Sequence, residues 1–164
     1  MAVEVLTPNS LVATDGSVAS FSEGTFNISS LGDSNGSTGL LYVGNNASID
    51  FGMSDPTISG LFSSATMNIT ITTNGSNAKN VITITALDDS SQIGRIFGNE
   101  GTGTFSIDIT SLGITRITDA NFRITAVQAT TAISEVAITI NTLETGRVTI
   151  SSGQLLIKTG RVTI

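Results

Sequence analysis

Alternation of apolar and polar residues is the feature of this chain that most constrains its fold. In the stretch ATMNITIT, residues 65–72, Ala, Met and Ile occupy every second position and Thr and Asn lie between them. Because successive side chains of a β-strand point to opposite faces, this pattern predicts a strand with one buried and one solvated face. The same alternation recurs over residues 105–110, 122–127 and 136–140. The chain is therefore predicted to be built from β-strands.

Turn residues separate these strands. The sequence TNGSNAK follows residue 72, and an apolar, β-branched run resumes over Val81–Leu87, so we predict a hairpin across 65–87. A short helical turn is predicted near Ile117–Asn121, where Thr118 could cap it. Eight or more short strands without a clear amphipathic helix predict an all-β antiparallel β-sandwich or jelly roll. The shorter candidate strands are 17–21, 25–28, 40–43, 48–51 and 92–97.

The chain divides into three parts by pattern: an extended N-terminal arm (1–13), a β-sandwich domain (14–141) and a C-terminal β-meander (142–164). The last part contains the hexapeptide TGRVTI twice, at Thr145–Ile150 and Thr159–Ile164. Glycine after each threonine suits a tight turn between short strands. Such a short ribbon is marginal in water unless its apolar face covers something. The apolar residues that would form this face are Val148, Ile150, Leu155, Ile157, Val162 and Ile164.

Two interpretations of that apolar face remain open. It could form an added edge sheet on its own sandwich, or it could be an arm that joins subunits. We favour the assembly interface, because the sandwich already closes with the strand Val136–Ile140.

Composition excludes several kinds of chemistry. The 164 residues contain no His, Cys or Trp, which rules out Ser-His-Asp and Cys-His catalysis, disulfides and Cys/His zinc sites. A net charge of −6 argues against a nucleic-acid partner. No apolar run reaches the roughly 18–20 residues of a membrane helix. The N-terminus lacks the basic and apolar regions of a signal peptide, so synthesis in a cytoplasm is expected.

Acidic residues are the main side chains of this sequence that could take part in catalysis or bind a metal ion. They could pair as glycosidase carboxylates, but turns and a solvated face account for them more simply, and we predict a protein that is not an enzyme and needs no cofactor. Asp88, Asp89, Asn99 and Glu100 are candidates for a calcium site because they offer oxygen ligands, although their spacing is not that of an EF-hand. Loops rich in Asn, Asp and Ser could also bind a glycan, with Tyr42 as the sole tyrosine.

Five stretches of the chain form a set of short motifs: TDGSVASFS (14–22), GLLYV (39–43), DFGMS (50–54), ISGLFSSATMNITI (58–71) and ITDANFRITAVQATTAISEVAITI (117–140). Together they resemble small jelly-roll-like β-sandwich proteins of tailed-bacteriophage virions. The match covers residues 14–141 and follows motifs of the type DGxYAS, FGFSIP, IxGI, a late DINxxNFG and a closing VDxVxITV strand. The matching residues are Asp15, Gly16, Ala19, Ser20, Phe51, Gly52, Ile58, Ser59, Gly60, Asp119, Asn121, Phe122 and Ser134–Ile140.

This resemblance implies a structural component of the virion, most simply a capsid decoration or cement protein acting through protein contacts. Its expected partners are other copies of the chain, with a trimer among the candidates, and virion proteins such as the major capsid protein. The alternative is a tail-associated or surface adhesion module that binds host glycan. Neither reading requires nucleic acid or a membrane.

Overall fold

Two antiparallel β-sheets pack face to face in the computed structural model. It describes residues 2–15, 18–20, 27–35, 39–42, 47–57, 60–73, 81–126, 131–143, 149–151 and 154–156. The strands are β1 (Ala2–Leu6), β2 (Pro8–Asp15), β3 (Val18–Ser20), β4 (Leu40–Tyr42), β5 (Ala47–Met53), β6 (Leu61–Thr73), β7 (Val81–Ala86), β8 (Ser91–Phe97), β9 (Gly103–Asp108), β10 (Phe122–Ala126), β11 (Thr131–Leu143), β12 (Thr149–Ser151) and β13 (Gln154–Leu156).

Helical structure in the described part of the chain is limited to short pieces. One α-helix, α1 (Gly113–Asp119), follows a 3₁₀ turn at Thr110–Leu112, and further 3₁₀ turns lie at Ile28–Leu31 and Gly98–Glu100. The helix begins before the predicted turn near Ile117. The Thr118 hydroxyl donates a hydrogen bond to the Thr115 carbonyl at 2.9 Å, so Thr118 is a residue of the helix and the prediction that it caps the helix is wrong. Within the described residues, no helix is long and apolar enough to span a membrane.

The strand order confirms the predicted sandwich and identifies it as a jelly roll. Sheet A has the order β3-β4-β11-β6-β9, and sheet B has the order β2-β5-β10-β7-β8. Strand β1 pairs with the second half of β11, on the edge of β11 opposite to β6. The eight strands β4 to β11 thus form the sheets β4-β11-β6-β9 and β5-β10-β7-β8. This arrangement is that of a double Greek key.

One predicted pairing is wrong. Strands β6 and β7 do not form a hairpin over residues 65–87, because β6 pairs with β9 and β11 in sheet A and β7 pairs with β8 and β10 in sheet B. The seven residues between them are enough to cross the gap of about 10 Å between packed sheets. A two-residue connection would have held the strands in one sheet.

The core lies between the sheets and is filled by the apolar positions of the alternating strands. Phe51 of β5 and Phe122 of β10 are fully buried side by side, with ring centroids 6.3 Å apart. On β6, Met67, Ile69 and Ile71 face inward. Since each inward residue is followed by an outward one, the same pattern that fills the core fixes which polar side chains lie on the outer face of each sheet.

The predicted arm of residues 1–13 contains β1 and most of β2, which belong to different sheets. The chain crosses between them at Thr7, with Leu6 and Pro8 buried on either side. The amide of Ser54 donates to the Thr7 carbonyl at 2.9 Å, and the Thr7 amide donates to the Ser54 hydroxyl at 3.2 Å. A side chain at Gly32 would place its Cβ 2.6 Å from the Thr7 Cβ, so glycine permits this close crossing.

Candidate functional site

The candidate calcium ligands divide into two groups at opposite ends of β8. Asp88 and Asp89 lie in the turn before β8, and Asn99 and Glu100 lie just after it. A seven-residue strand separates its ends by about 20 Å, so the four residues cannot coordinate one ion. Among the described residues, no group of three or more carboxylate side chains could hold a metal.

Asp88 and Asp89 form ion pairs with Arg116. The guanidinium of Arg116 on α1 donates to the two carboxylate oxygens of Asp88 at 2.6 and 2.8 Å and lies 2.8 Å from Asp89. The hydrogen bond from Arg116 is the main reason that the pKa of Asp88 is lowered. The pKa of Asp89 is lowered mainly by hydrogen bonds from Ser91. These contacts fasten α1 to the turn between β7 and β8.

Other candidate carboxylates also have structural partners. Glu100 accepts a hydrogen bond from the Phe97 amide at 2.5 Å. Asp108 accepts one from the Thr110 amide at 2.9 Å, and hydrogen bonding to Thr110 lowers the pKa of Asp108. Asp50 is buried on the outer face of sheet B, where Arg123 donates to its two oxygens at 2.6 and 2.7 Å. Each of these carboxylates is used in local structure.

The outer face of sheet A carries small polar side chains aligned across three strands. One cross-strand row is Thr139–Thr66–Asp108, the next is Ala137–Asn68–Ser106, and a third combines Glu135, Thr70 and Thr104. Directly paired residues of an antiparallel sheet project from the same face, with Cβ atoms about 5 Å apart. We call this surface the polar face; its residues are Ser64, Thr66, Asn68, Thr70, Thr104, Ser106, Asp108, Glu135, Ala137, Thr139 and Asn141.

Hydrogen bonds hold the polar face in one arrangement. The Ser106 hydroxyl donates to the Asn68 side-chain oxygen at 2.7 Å, and the Asn68 nitrogen donates to the Thr139 hydroxyl at 3.3 Å. Asn68 is thereby oriented from both sides, with its oxygen toward β9 and its nitrogen toward β11. The hydroxyl hydrogen of Thr139 stays available to donate, because the Thr139 oxygen is the acceptor in this pair.

Two further pairs repeat this pattern along the strands. The hydroxyls of Thr70 and Thr104 lie 2.9 Å apart, and the Asn141 amide donates to Ser64 at 3.0 Å. All these groups are mounted on the central strands β6 and β11 and on their neighbour β9. The polar face thus presents preoriented hydroxyl and amide groups on a rigid sheet.

Glu135 forms the acidic edge of the polar face. Burial raises its pKa, although the backbone amides of Ser34 and Asn35 donate to the carboxylate and Asp33 lies nearby. Within the described part of the chain, its Oε1 is buried and has no hydrogen-bond partner. The polar face contains two carboxylates and no basic side chain, so it suits an uncharged ligand better than an anionic one.

The predicted assembly residues fall largely outside the described structure. Val148, Ile157, Val162 and Ile164 lie beyond the described residues. Ile150 and Leu155 are direct partners in the antiparallel pair β12–β13, which forms a separate two-stranded sheet. The described pairing covers Thr149–Ser151 and Gln154–Leu156. The rest of the predicted meander lies outside the described residues, and its role in assembly stays a prediction.

The polar face was only half visible in the sequence. Alternation placed Thr66, Asn68 and Thr70 on the solvated side of their strand. It gave no indication that Ser106 and Thr139, which are 38 and 71 residues from Asn68, lie beside them. Strand order and register are the missing information, and neither is encoded in a local pattern.

Comparison with known proteins finds similarity among solved structures alone. No protein-family model matches the chain, and no curated protein matches it. Among solved structures, the C-terminal CBM6 of LamC from Zobellia galactanivorans superposes with a TM-score of 0.47 at 10% identity, covering 85% of this chain and 100% of that one. The carbohydrate-binding module CBM6cm-2 from Cellvibrio mixtus lichenase 5A, in complex with cellotriose, gives 0.42 at 10% identity over 87% and 100%. Similarity at this level carries no functional argument.

Proposed function

We propose that this chain is a non-enzymatic binding module whose polar face takes an uncharged carbohydrate. The observation that supports this is the hydrogen-bonded row Ser106–Asn68–Thr139 and its neighbouring threonine rows. Sugar hydroxyls both donate and accept hydrogen bonds, and the polar face offers donors and acceptors at the spacing of adjacent strands. The proposal rests on this face and not on the two carbohydrate-binding modules compared above.

The expected affinity is low. A net contribution of about 1 kcal/mol from each of four or five hydrogen bonds gives a dissociation constant of about 0.1–1 mM. The face contributes no aromatic ring to stack on a sugar, since Phe105 of β9 lies opposite Ile69 on the inward side. Binding therefore has to be measured at equilibrium, because a washed surface would lose a ligand this weak.

Affinity electrophoresis through gels that contain soluble neutral polysaccharides tests the proposal. Retardation in at least one gel, weakened several-fold by Asn68→Ala, is the expected result. Thr83→Ala is the matched control, because Thr83 is a half-buried outward residue of β7 on the other sheet. Equal mobility in every gel, or equal retardation of both variants and the parent chain, would contradict the proposal.

A second candidate function is supported by the motif resemblance over residues 14–141. In this reading the jelly roll is a structural component of a tailed-phage virion, most simply a decoration protein of the capsid. Mass spectrometry of purified particles tests it. Peptides of this chain that persist after high-salt washing would support the assignment, and their absence from particles would contradict it.

A further inference from the structure

A contiguous apolar patch lies at one end of the outer face of sheet A. Leu61 and Leu143 are direct cross-strand partners and are 62% and 50% exposed. Val3 and Val5 of β1, opposite Asn141 and Thr139, are 57% and 56% exposed. These four residues, which we call the apolar patch, are four of the seven large hydrophobic side chains exposed in the described chain.

The patch is continuous because of strand register. Val3 is paired with Asn141, so it is the diagonal neighbour of Leu143, at a distance that aliphatic side chains span. Val5 lies two residues along the same face of β1. Isolated exposed apolar residues need no explanation, but a cluster of four side chains that are each at least half exposed marks an interaction surface.

The C-terminal segment leaves the sandwich from inside this patch. Leu143 is the last residue of β11, and residues 144–164 follow it directly. Their sequence alternates apolar and polar residues, and β12 and β13 pair only with each other in the described structure. A two-stranded ribbon this short requires another apolar surface for stability. The C-terminal segment therefore needs an apolar surface to pack against, and the apolar patch is an exposed surface of that kind.

Charge points in the same direction. Residues 144–164 contain Arg147, Lys158 and Arg161 against the single acid Glu144, and carry a net charge of +2 at pH 7. Residues 1–143 contain four basic and twelve acidic residues, for a net charge of −8. A basic segment and an acidic sandwich attract each other, which favours their encounter at low salt.

We infer that the apolar patch is the docking surface for the C-terminal segment of a second copy of this chain. The patch side chains are exposed in the described structure, which leaves them accessible to a second molecule. Since the segment starts within the patch, two copies related by a two-fold axis can exchange segments at one shared interface. The apolar patch borders the polar face, because Val3 and Val5 pair with Asn141 and Thr139. A dimer joined at the patch would therefore present two weak sites close to one interface.

Light scattering on the full-length chain across a range of concentrations tests this inference. We expect the parent chain to form an oligomer. Its dissociation constant should rise at least tenfold in the variant Leu61→Lys and by a similar factor in Ile150→Lys. Leu11→Lys is the matched control, because Leu11 is 45% exposed on β2 at the edge of sheet B and should leave assembly unchanged. Circular dichroism melts of all three variants verify that the sandwich stays folded.

The opposing results are distinct. A parent chain that is monomeric at every concentration would overturn the inference, because the segment would then cover its own patch or none. An oligomer that is insensitive to Leu61→Lys in a folded variant would overturn it too. Raising the salt concentration should weaken association if the basic segment is the occupant.

Discussion

The outer faces of the two sheets differ in the hydrogen bonds that join their polar side chains. On sheet B, the buried Asp50 and its partner Arg123 form a bidentate ion pair. On sheet A, neutral hydroxyl and amide groups such as Asn68 and Ser106 bond to one another across strands. An ion pair satisfies its own members strongly and leaves little for a ligand. Neutral groups that share hydrogen bonds keep donors and acceptors for a second partner.

This contrast separates stability from binding. A residue of the ion pair on sheet B should matter for folding and not for ligand affinity, whereas a residue of the polar face on sheet A should matter for ligand affinity and little for folding.

Arg123→Ala should give the largest effect. It leaves the Asp50 carboxylate buried without its cation, and breaking a buried ion pair costs about 3–5 kcal/mol. Because the Arg123 side chain is 44% exposed, we expect a smaller loss of about 2–3 kcal/mol in the free energy of unfolding. The free energy of unfolding from urea titration measures it. Polysaccharide retardation of the folded variant should be unchanged, and a loss of binding would break the contrast between the faces.

Ser106→Ala should have a moderate effect on sheet A. It removes the donor that fixes the Asn68 amide, so ligand affinity should fall about threefold, with a stability cost near 1 kcal/mol or less. An NMR titration measures the affinity and a thermal melt the stability. Thr125→Ala, an outward substitution on β10, is the control. A larger effect on stability than on affinity would show that the polar face is structural.

Arg116→Ala tests the exposed ion pairs beside α1. Because the pKa of Asp88 is lowered in the folded state, the Arg116 contact contributes stability above the ordinary pKa of 3.8 and loses it as the pH falls through the lowered value. We expect a small fall in melting temperature at pH 7 and a smaller one at pH 2. The effect should be smaller than that of Arg123→Ala, since these groups are exposed to solvent. Equal losses at both pH values would exclude an electrostatic cause.

Glu135→Gln should produce the smallest change, and of opposite sign. The raised pKa of Glu135 means that its charged form costs stability above that pKa, and the cost disappears as the pH falls below the ordinary value of 4.5. The variant should therefore melt slightly higher than the parent at pH 7 and at the same temperature below pH 4. A lower melting temperature at pH 7 would show that the carboxylate is needed for its contacts with the loop at 33–35.

The sequence predicts much of this fold because local alternation is enough to identify strands and their buried faces. Met67, Ile69, Ile138 and Phe122 are all inward, as alternation requires. The prediction of a hairpin over residues 65–87 was wrong. A connection of intermediate length allows the two strands to pair with each other or allows the chain to cross to the other sheet. Nothing local distinguishes these two outcomes.

The polar face was less predictable than the core. A buried position is recognisable in one strand, but a surface formed by three strands depends on their order and register. Register places Thr139 rather than Ile138 opposite Thr66, and a slip of one residue would exchange the polar face for the core. The apolar patch was hard to predict for the same reason. Val3 of β1 and Leu61 of β6 lie near each other because both strands pair with β11.

Threonine-methyl NMR tests most directly whether the polar face binds carbohydrate. Protein with labelled threonine methyl groups would be titrated with a neutral oligosaccharide. This oligosaccharide would be derived from the polysaccharide that retards the protein most in the affinity gels. We expect saturable shifts at Thr66, Thr70, Thr104 and Thr139 on sheet A and none at Thr83 and Thr125 on sheet B. Shifts confined to sheet B, or no shift at millimolar ligand, would contradict the carbohydrate proposal.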